Sequence, residues 1–315
     1  MDSTSSRESS NLGVVVGFDG SPHSIEALHW GARAAIRHKT QLTVASAYLF
    51  PYTDYLHNIA PAADEDPSRR IAENTLTEAR DLLEAADYTG EVEYHPIIGD
   101  ATHGLVQLSH DAQVLVVGRR GRGNVLGRLL GSVAAALPAH AHCPTVVVFS
   151  SDDSDSDTPK PAATQANARD TRPVCVGVDS SDHARRAAIA AAEEAKQLGV
   201  QLELVQAQPP FTGTSSVWIL DADSEMDRRI TEDAMDFLIK EIEFLKQQVP
   251  GVEIEPTVLR GTAATAMIEC SERAQLTVLG TRGHGGFTSL LLGSVSRTTL
   301  SHARGTVMIV PTPKN

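Results

Sequence analysis

DAQVLVVGRRGRGNVLGRLLGSV (Asp111–Val133) and RAQLTVLGTRGHGGFTSLLLGSV (Arg273–Val295) align without a gap. Each starts with an apolar, β-branched run and ends on Gly-Ser at the opening of a helical pattern. Self-similarity at so long a spacing outranks any local reading of secondary structure. The parallel extends outwards: LGVVVGFDGS (Leu12–Ser21) matches PVCVGVDSS (Pro173–Ser181), both apolar runs closing on Gly-x-Asp. The chain reads as a tandem duplication.

The two copies are separated by SSDDSDSDTPKPAATQANARDTR (Ser150–Arg172), which is acidic, rich in Ser, Pro and Ala, and carries no large apolar side chain. Such a composition cannot bury enough surface to fold and marks a linker. The expected organisation is a disordered tail over residues 1–11, a first domain over 12–150, a linker over 151–172 and a second domain over 173–312. A chain of 315 residues fits two domains better than one.

Within each copy short β-branched runs alternate with longer helical patterns, which indicates an α/β fold with a parallel sheet covered by helices. In the first copy strands are predicted near 12–18, 41–48, 91–98, 114–118 and 145–149, with helices near 22–38, 67–87, 102–110 and 132–142. In the second, strands fall near 173–179, 201–207, 252–259, 276–280 and 306–310, and helices near 182–198, 224–248, 262–272 and 294–303. Runs such as VLVV and TVVVF are apolar on both faces, as strands beneath two helical layers must be. Right-handed crossovers then give two tandem doubly wound, five-stranded domains, and such sheets bind ligands beyond the carboxyl ends of their strands, where strand order reverses.

Composition narrows the function classes. Forty acidic against 27 basic residues leave a net charge of −13, which repels phosphate backbones and anionic lipid and argues against nucleic-acid or membrane partners. Three cysteines, Cys143, Cys175 and Cys270, are too few and too scattered for a disulfide framework or a structural zinc site. A reducing cytoplasm is the expected compartment. The Ser-rich start has no apolar core of a signal peptide, and no stretch approaches the ~18 apolar residues of a spanning helix.

The chemistry concentrates after the first and fourth strands. Gly118, Gly121 and Gly131-Ser132 are spaced by two and nine residues, and Gly280, Gly283 and Gly293-Ser294 repeat those gaps. One such pattern arises by chance in about one chain in a hundred at ordinary glycine usage; its duplication is not accidental. Glycines let backbone N–H groups approach an anion, and a Gly-Ser helix opening adds free donors, a hydroxyl and the positive dipole end. The competing reading is a tight strand-to-helix turn with Ser132 and Ser294 as ordinary caps.

Asp19 and Asp179 close the first strands, beside the fourth, where a carboxylate can accept from a ribose hydroxyl or a base amino group. Alternatively each begins an Asp-x-Ser turn that caps the next helix, with Ser21 and Ser181 sharing that task. Arg119, Arg120, Arg122 and Arg128, and in the second copy Arg282 and His284, bring positive charge to the loops; Arg120 and Arg282 hold equivalent places and can reach a phosphate tail or remain in solvent. His140, His142 and Cys143 suggest metal ligands at first sight, but the second copy reads HARGT there, and a helix end with its turn accounts for them. Neither a Gly-x4-Gly-Lys phosphate loop, nor a Gly-x-Ser-x-Gly elbow, nor a His-Glu-x2-His helix is present, so no catalytic or metal-ligating residue is assigned.

These motifs resemble the universal stress protein family in its tandem, two-domain actinobacterial form. The carrying residues are GFDGS and GVDSS after the first strands, GRRGRGNVLGRLLGS and GTRGHGGFTSLLLGS after the fourth, and AHCPTVVVF near the end of the first copy. The resemblance implies the adenine nucleotide alpha hydrolase-like fold with strand order 3-2-1-4-5, one ATP per copy, with or without Mg2+, and copies joined through their last strands as an intramolecular pseudo-dimer, with a homodimer also open. It further implies that Gly17, Asp19, Gly177 and Asp179 lie at the adenosine end. Ala47 and Ala207 would meet adenine through their backbones. The ribose and phosphates would fall to Val117, Gly118, Arg120, Gly121, Gly131, Ser132 and Val133, and to Leu279, Gly280, Arg282, Gly283, Gly293, Ser294 and Val295. Thr281 replaces Arg119 in the second copy, which bears on whether the two sites hold phosphate equally.

Three functions follow as expectations. The first is an ATP-binding regulator of a stress or growth-arrest response that acts on an unidentified protein partner. The second is a slow ATP hydrolase or a nucleotidyl- or phosphoryl-transferring enzyme of the same fold class, and the third a partner-binding module whose glycines only make turns. Leu49–Asp66 and its counterpart Pro209–Asp223 are long enough to be lids or partner surfaces.

Overall fold

The computed structural model describes residues 11–49, 67–122, 130–149, 170–208, 225–283 and 291–312. The readings for Arg128, His284, the tail to residue 10, most of the linker and nearly all of the two long loops lie outside these residues. The chain forms two compact units, Met1–Ser150 and Ser151–Asn315.

The first unit runs β1 (Gly13–Gly17), α1 (Pro22–His38), β2 (Leu42–Tyr48), α2 (Pro67–Ala85), β3 (Val92–Ile98), α3 (Ala101–Leu108), β4 (Ala112–Gly118), α4 (Ser132–His140) and β5 (Thr145–Val148). Its strands lie in the order β3-β2-β1-β4-β5, each pairing parallel. The second unit runs β6 (Val174–Gly177), α5 (Asp182–Leu198), β7 (Leu202–Gln208), α6 (Glu225–Gln248), β8 (Ile254–Arg260), α7 (Ala263–Arg273), β9 (Leu276–Gly280), α8 (Ser294–His302) and β10 (Val307–Val310). It repeats the order as β8-β7-β6-β9-β10, again with parallel pairing. The doubly wound α/β class expected from the sequence is the observed one.

Sequence explains the boundaries. Ser21 caps α1 by accepting from the Ser24 N–H at 3.3 Å, with Pro22 pre-set for the first helical turn; Ser181 caps α5 by accepting from Ala184 N–H at 3.2 Å. Helix α3 starts at Ala101 because Asp100 accepts from the His103 N–H at 2.8 Å. Strand β4 begins at Ala112, earlier than its apolar run, because a register shift between Gly13 and Val14 extends its pairing with β1. Val14, Val15 and Val16 are wholly buried, as are Leu115 and Val116 beside them. At roughly 1.5–3 kcal/mol for each fully buried aliphatic side chain, these central strands anchor the layer from which the site loops spring.

Strand β1 lies between β2 and β4, so the chain leaves β1 towards one side of the sheet and returns on the other. The carboxyl ends of β1 and β4 therefore flank the switch point, as those of β6 and β9 do in the second unit.

Candidate functional site

Two residues past β1, Asp19 uses both carboxylate oxygens. Oδ1 accepts from the Ser21 N–H at 3.0 Å, and Oδ2 accepts from the Arg122 N–H at 2.9 Å. The first bond is the Asp-x-Ser turn; the second ties the β1 loop to the glycine loop after β4. In the second unit Asp179 Oδ1 accepts from the Ser181 N–H at 2.9 Å. Burial works against ionisation of Asp19, but hydrogen bonds from Ser21, Arg122 and Ser24 outweigh it and hold the carboxyl below its ordinary value.

The glycines divide by role. A Cβ on Gly121 would sit 2.6 Å from Asp19 Oδ2, and one on Gly283 would sit 2.4 Å from Asp179 Oδ2. These two positions stay open so that the carboxylate can lie against the loop backbone. Gly118 and Gly280 serve packing instead, since a Cβ there would meet the backbone of His23 at 2.5 Å and of His183 at 2.8 Å. Gly131 N–H donates to Arg119 O at 2.9 Å and Gly293 N–H to Thr281 O at 2.7 Å, closing each loop at its base.

Those closing glycines are also the caps of α4 and α8, and neither supplies a side-chain hydrogen bond. Ser132 and Ser294, expected as caps on the turn-only reading, are the first helical residues and are exposed. With a glycine as cap, no cap side chain accepts from the first N–H groups of these helices. Val133 and Val295 follow, half-buried, one residue further on.

Val117 and Leu279 are buried next to last in β4 and β9, against Gly17 and Gly177: a Cβ on those glycines would lie 3.1 Å from Val117 Cγ1 and 3.0 Å from Leu279 Cδ2. Ala47 and Ala207 are half-buried on the neighbouring strands, two residues beyond the partners of Gly17 and Gly177. They share the carboxyl edge with the loops, and nothing closer joins them to Asp19 or Asp179 among the contacts described.

The arginines separate too. Arg119 turns inward, 2% exposed, with its guanidinium 4.9 Å over the Phe149 ring. It does not supply loop charge, and its replacement by buried Thr281 changes the core of the second unit, so the sequence-based link to unequal phosphate affinity loses its basis. Arg120 is half-buried and its carbonyl accepts from the Ser21 hydroxyl at 3.4 Å. In the second unit Arg282 Nε and His183 Nε2 are both buried without a hydrogen-bond partner among the described residues. Burial and the Arg282 charge together hold His183 below its ordinary pKa. His23 and His183 escaped the sequence reading, although each lies four residues after its aspartate and so repeats with the motif.

The His140 segment is a helix end. His140 Nδ1 pairs with Ala136 O at 2.9 Å, the His142 ring stacks on His110 at 3.6 Å, and burial pushes the Cys143 thiol up to about 12. Among the described residues no group of three or more His, Cys, Asp or Glu side chains is placed to hold a metal, and no helix is long and apolar enough to cross a membrane.

A tandem pair of doubly wound α/β domains, each with an aspartate set against the glycine loop at its switch point, defines the class. The sequence profile described as "Universal stress protein family" matches residues 13–148 and 170–311, and the chain belongs to that family. A universal stress protein of Mycobacterium tuberculosis is 33% identical over 306 residues, covering 95% of this chain and 96% of its own. A crystal structure of a universal stress protein from Archaeoglobus fulgidus shares the fold with a TM-score of 0.61 at 20% identity, over 97% of this chain and 98% of the other. A universal stress protein solved in complex with cAMP is 32% identical, with a TM-score of 0.36, over 44% of this chain and 98% of its own.

Proposed function

We propose that this universal stress protein is an ATP-dependent regulator that holds one ATP in each unit and presents a nucleotide-dependent surface to a protein partner. The observation that carries the reading is the duplicated contact between Asp19 and Gly121 and between Asp179 and Gly283, beside helix openings capped by glycine alone.

The residues fit the nucleotide chemically. The buried Arg282 Nε and His183 Nε2 lack hydrogen-bond partners among the described residues, and an anionic phosphate supplies acceptors for both. The first N–H groups of α4 and α8, without a cap side chain, add donors and the positive end of the helix dipole. Asp19 and Asp179 offer the acceptors that a ribose hydroxyl or an adenine amino group requires. In this reading any Mg2+ is carried by the phosphates. Gly17, Val117, Arg120, Gly131, Ser132 and Val133 complete the first pocket, and Gly177, Leu279, Gly293, Ser294 and Val295 the second, with Ala47 and Ala207 at the adenine edge, while Gly118 and Gly280 hold the strand ends against His23 and His183 by packing.

The test is to denature freshly purified protein and quantify the released nucleotides by anion-exchange chromatography, then repeat after incubation with ATP and, separately, with cAMP. About two equivalents of ATP per chain are expected. ADP in its place points to hydrolysis, cAMP retained in preference to ATP changes the ligand, and no retention of either overturns the reading.

A further inference from the structure

The three cysteines looked scattered in the sequence, yet two of them meet in the second unit. Cys175, in β6, lies opposite Glu203 of β7 in the sheet register, and its Sγ is 3.0 Å from Glu203 Oε2. Arg273, in the last turn of α7, joins both sides of the cluster. It forms an ion pair with Glu203 and sets Nη2 3.5 Å from Cys270 Sγ. The Glu203 carboxylate and the Arg273 guanidinium thus link the two sulfurs, and α7 packs on β6 beside them. The first unit has Val15, Leu108, Thr43 and Asp111 at the matching places, so this thiol and charge cluster belongs to the second copy alone. An ion pair with one partly exposed member has a small stability value, which invites a chemical role.

We propose that Cys175 and Cys270 are a redox site, oxidised by hydroperoxides to an intradomain disulfide, with Cys270 attacking and Cys175 resolving. The Cys270 thiolate attacks one peroxide oxygen and the O–O bond breaks. Cys270 becomes a sulfenic acid, and the departing oxygen takes a proton to leave as water or an alcohol. Cys175 sulfur then attacks Cys270 sulfur. The S–S bond forms, the S–O bond breaks, and the Cys175 proton passes by way of Glu203 to the departing hydroxide, which leaves as water. In sum two thiols lose two electrons and two protons, and one hydroperoxide is reduced.

The surroundings divide the roles. The neighbouring Cys175 and the Arg273 charge hold Cys270 below the ordinary thiol value against burial, whereas the neighbouring Cys270, burial and the Glu203 carboxylate hold Cys175 above it. Both sulfurs are buried, but the Arg273 side chain is 39% exposed and leads from solvent to Cys270. A small hydroperoxide is thus the suited oxidant, and bulky disulfides are not. Met267, three residues before Cys270, packs on Gly177: its Sδ is 2.8 Å from the place of a Cβ there. A disulfide would therefore fasten α7 to the strand carrying Gly177.

The experiment treats the full-length protein with hydrogen peroxide, blocks the remaining thiols, and maps peptides without reduction. Two of the three thiols should be lost, with a Cys175–Cys270 cross-linked peptide and an unmodified Cys143. Cys175→Val, which installs the first-unit residue, should accumulate a dimedone-reactive sulfenic acid at Cys270, and Cys270→Ser should leave Cys175 unlabelled. The proposal fails if both thiols stay free in the native protein under peroxide that oxidises the urea-unfolded chain. It also fails if Cys143 is consumed as fast as the pair, or if native oxidation gives sulfinic acid without the cross-link.

Discussion

Asp19 Oδ2 accepts from the Arg122 N–H at 2.9 Å and occupies the space into which a Cβ on Gly121 would project, at 2.6 Å. One carboxylate thus fixes the loop after β4 to the loop after β1. Gly121→Ala forces that carboxylate aside, while the exposed glycine itself bears little of the core. The variant should keep its circular dichroism spectrum and release half the nucleotide of the parent per chain; Gly283→Ala should do the same for the second unit. Full nucleotide content in both variants would show that the lock is irrelevant to binding.

Gly118→Ala should behave differently despite belonging to the same motif. Its methyl group meets the His23 backbone at 2.5 Å, and backbone yields less easily than a side-chain tip. Overpacking of this kind costs about 1–3 kcal/mol. The expected outcome is an earlier thermal transition for the first unit, read by calorimetry, with nucleotide loss following from unfolding. An unchanged transition together with lost nucleotide would assign Gly118 to the ligand instead.

Asp19 also sets an acid limit. Its folded pKa is depressed, so the stability it contributes is present above the unfolded value of about 3.9 and disappears as pH falls through the lower folded value. Asp19→Asn keeps an acceptor for one of the two N–H groups and removes the titration. The variant should lose stability at neutral pH and show a shallower decline below about pH 4 in urea melts. A decline as steep as the parent's would place the acid-sensitive group elsewhere.

The sequence carried the architecture because its signals were local and agreed. Ser21 and Ser181 stood where a turn could cap the next helix, doubly apolar runs announced buried strands, and the two copies agreed. The aspartate and the glycine loop were legible as neighbours because parallel strands bring their carboxyl ends together. The direction of Arg119 was not, since β4 is apolar on both faces and alternation could not say which way the next residue turns. Nor could sequence distance reveal that Cys175 and Cys270 meet. That contact depends on α7 crossing back over β6, which only the packed topology specifies.

His183 should make nucleotide binding by the second unit sensitive to pH. Burial lowers its pKa first, and the charges of Arg282 and Arg186 add to this, while Asp179 and Asp182 act in the opposite direction. A phosphate bound between His183 and Arg282 favours the imidazolium, so binding takes up a proton and tightens as pH falls. In a Gly121→Ala background, ATP affinity should rise between pH 7.5 and 6 with a slope of at most about tenfold per pH unit. Adenosine should show no such slope, and His183→Asn should flatten that of ATP. Equal slopes for ATP and adenosine would remove the histidine from the phosphate end.

The two units also differ at a helix terminus. Helix α1 ends on Lys39 in the left-handed conformation, φ 53°, with its N–H donating to Ala35 O and Ile36 O; α5 ends on Gly199 at φ 65° with the same pair of bonds. A side chain in that region costs roughly 1–2 kcal/mol, and the Lys39 side chain is exposed and contributes no core packing to offset it. Glycine removes the strain but enlarges the entropy of the unfolded chain by about 0.4–1 kcal/mol. Lys39→Gly should therefore stabilise the first unit by about 0.5–1 kcal/mol, a rise of about 2–4 °C in its calorimetric transition, and leave the second unit's transition in place. A fall in the first transition would mean that Lys39 holds the helix end by its charge at the negative pole of the dipole, and that this contribution exceeds the backbone strain.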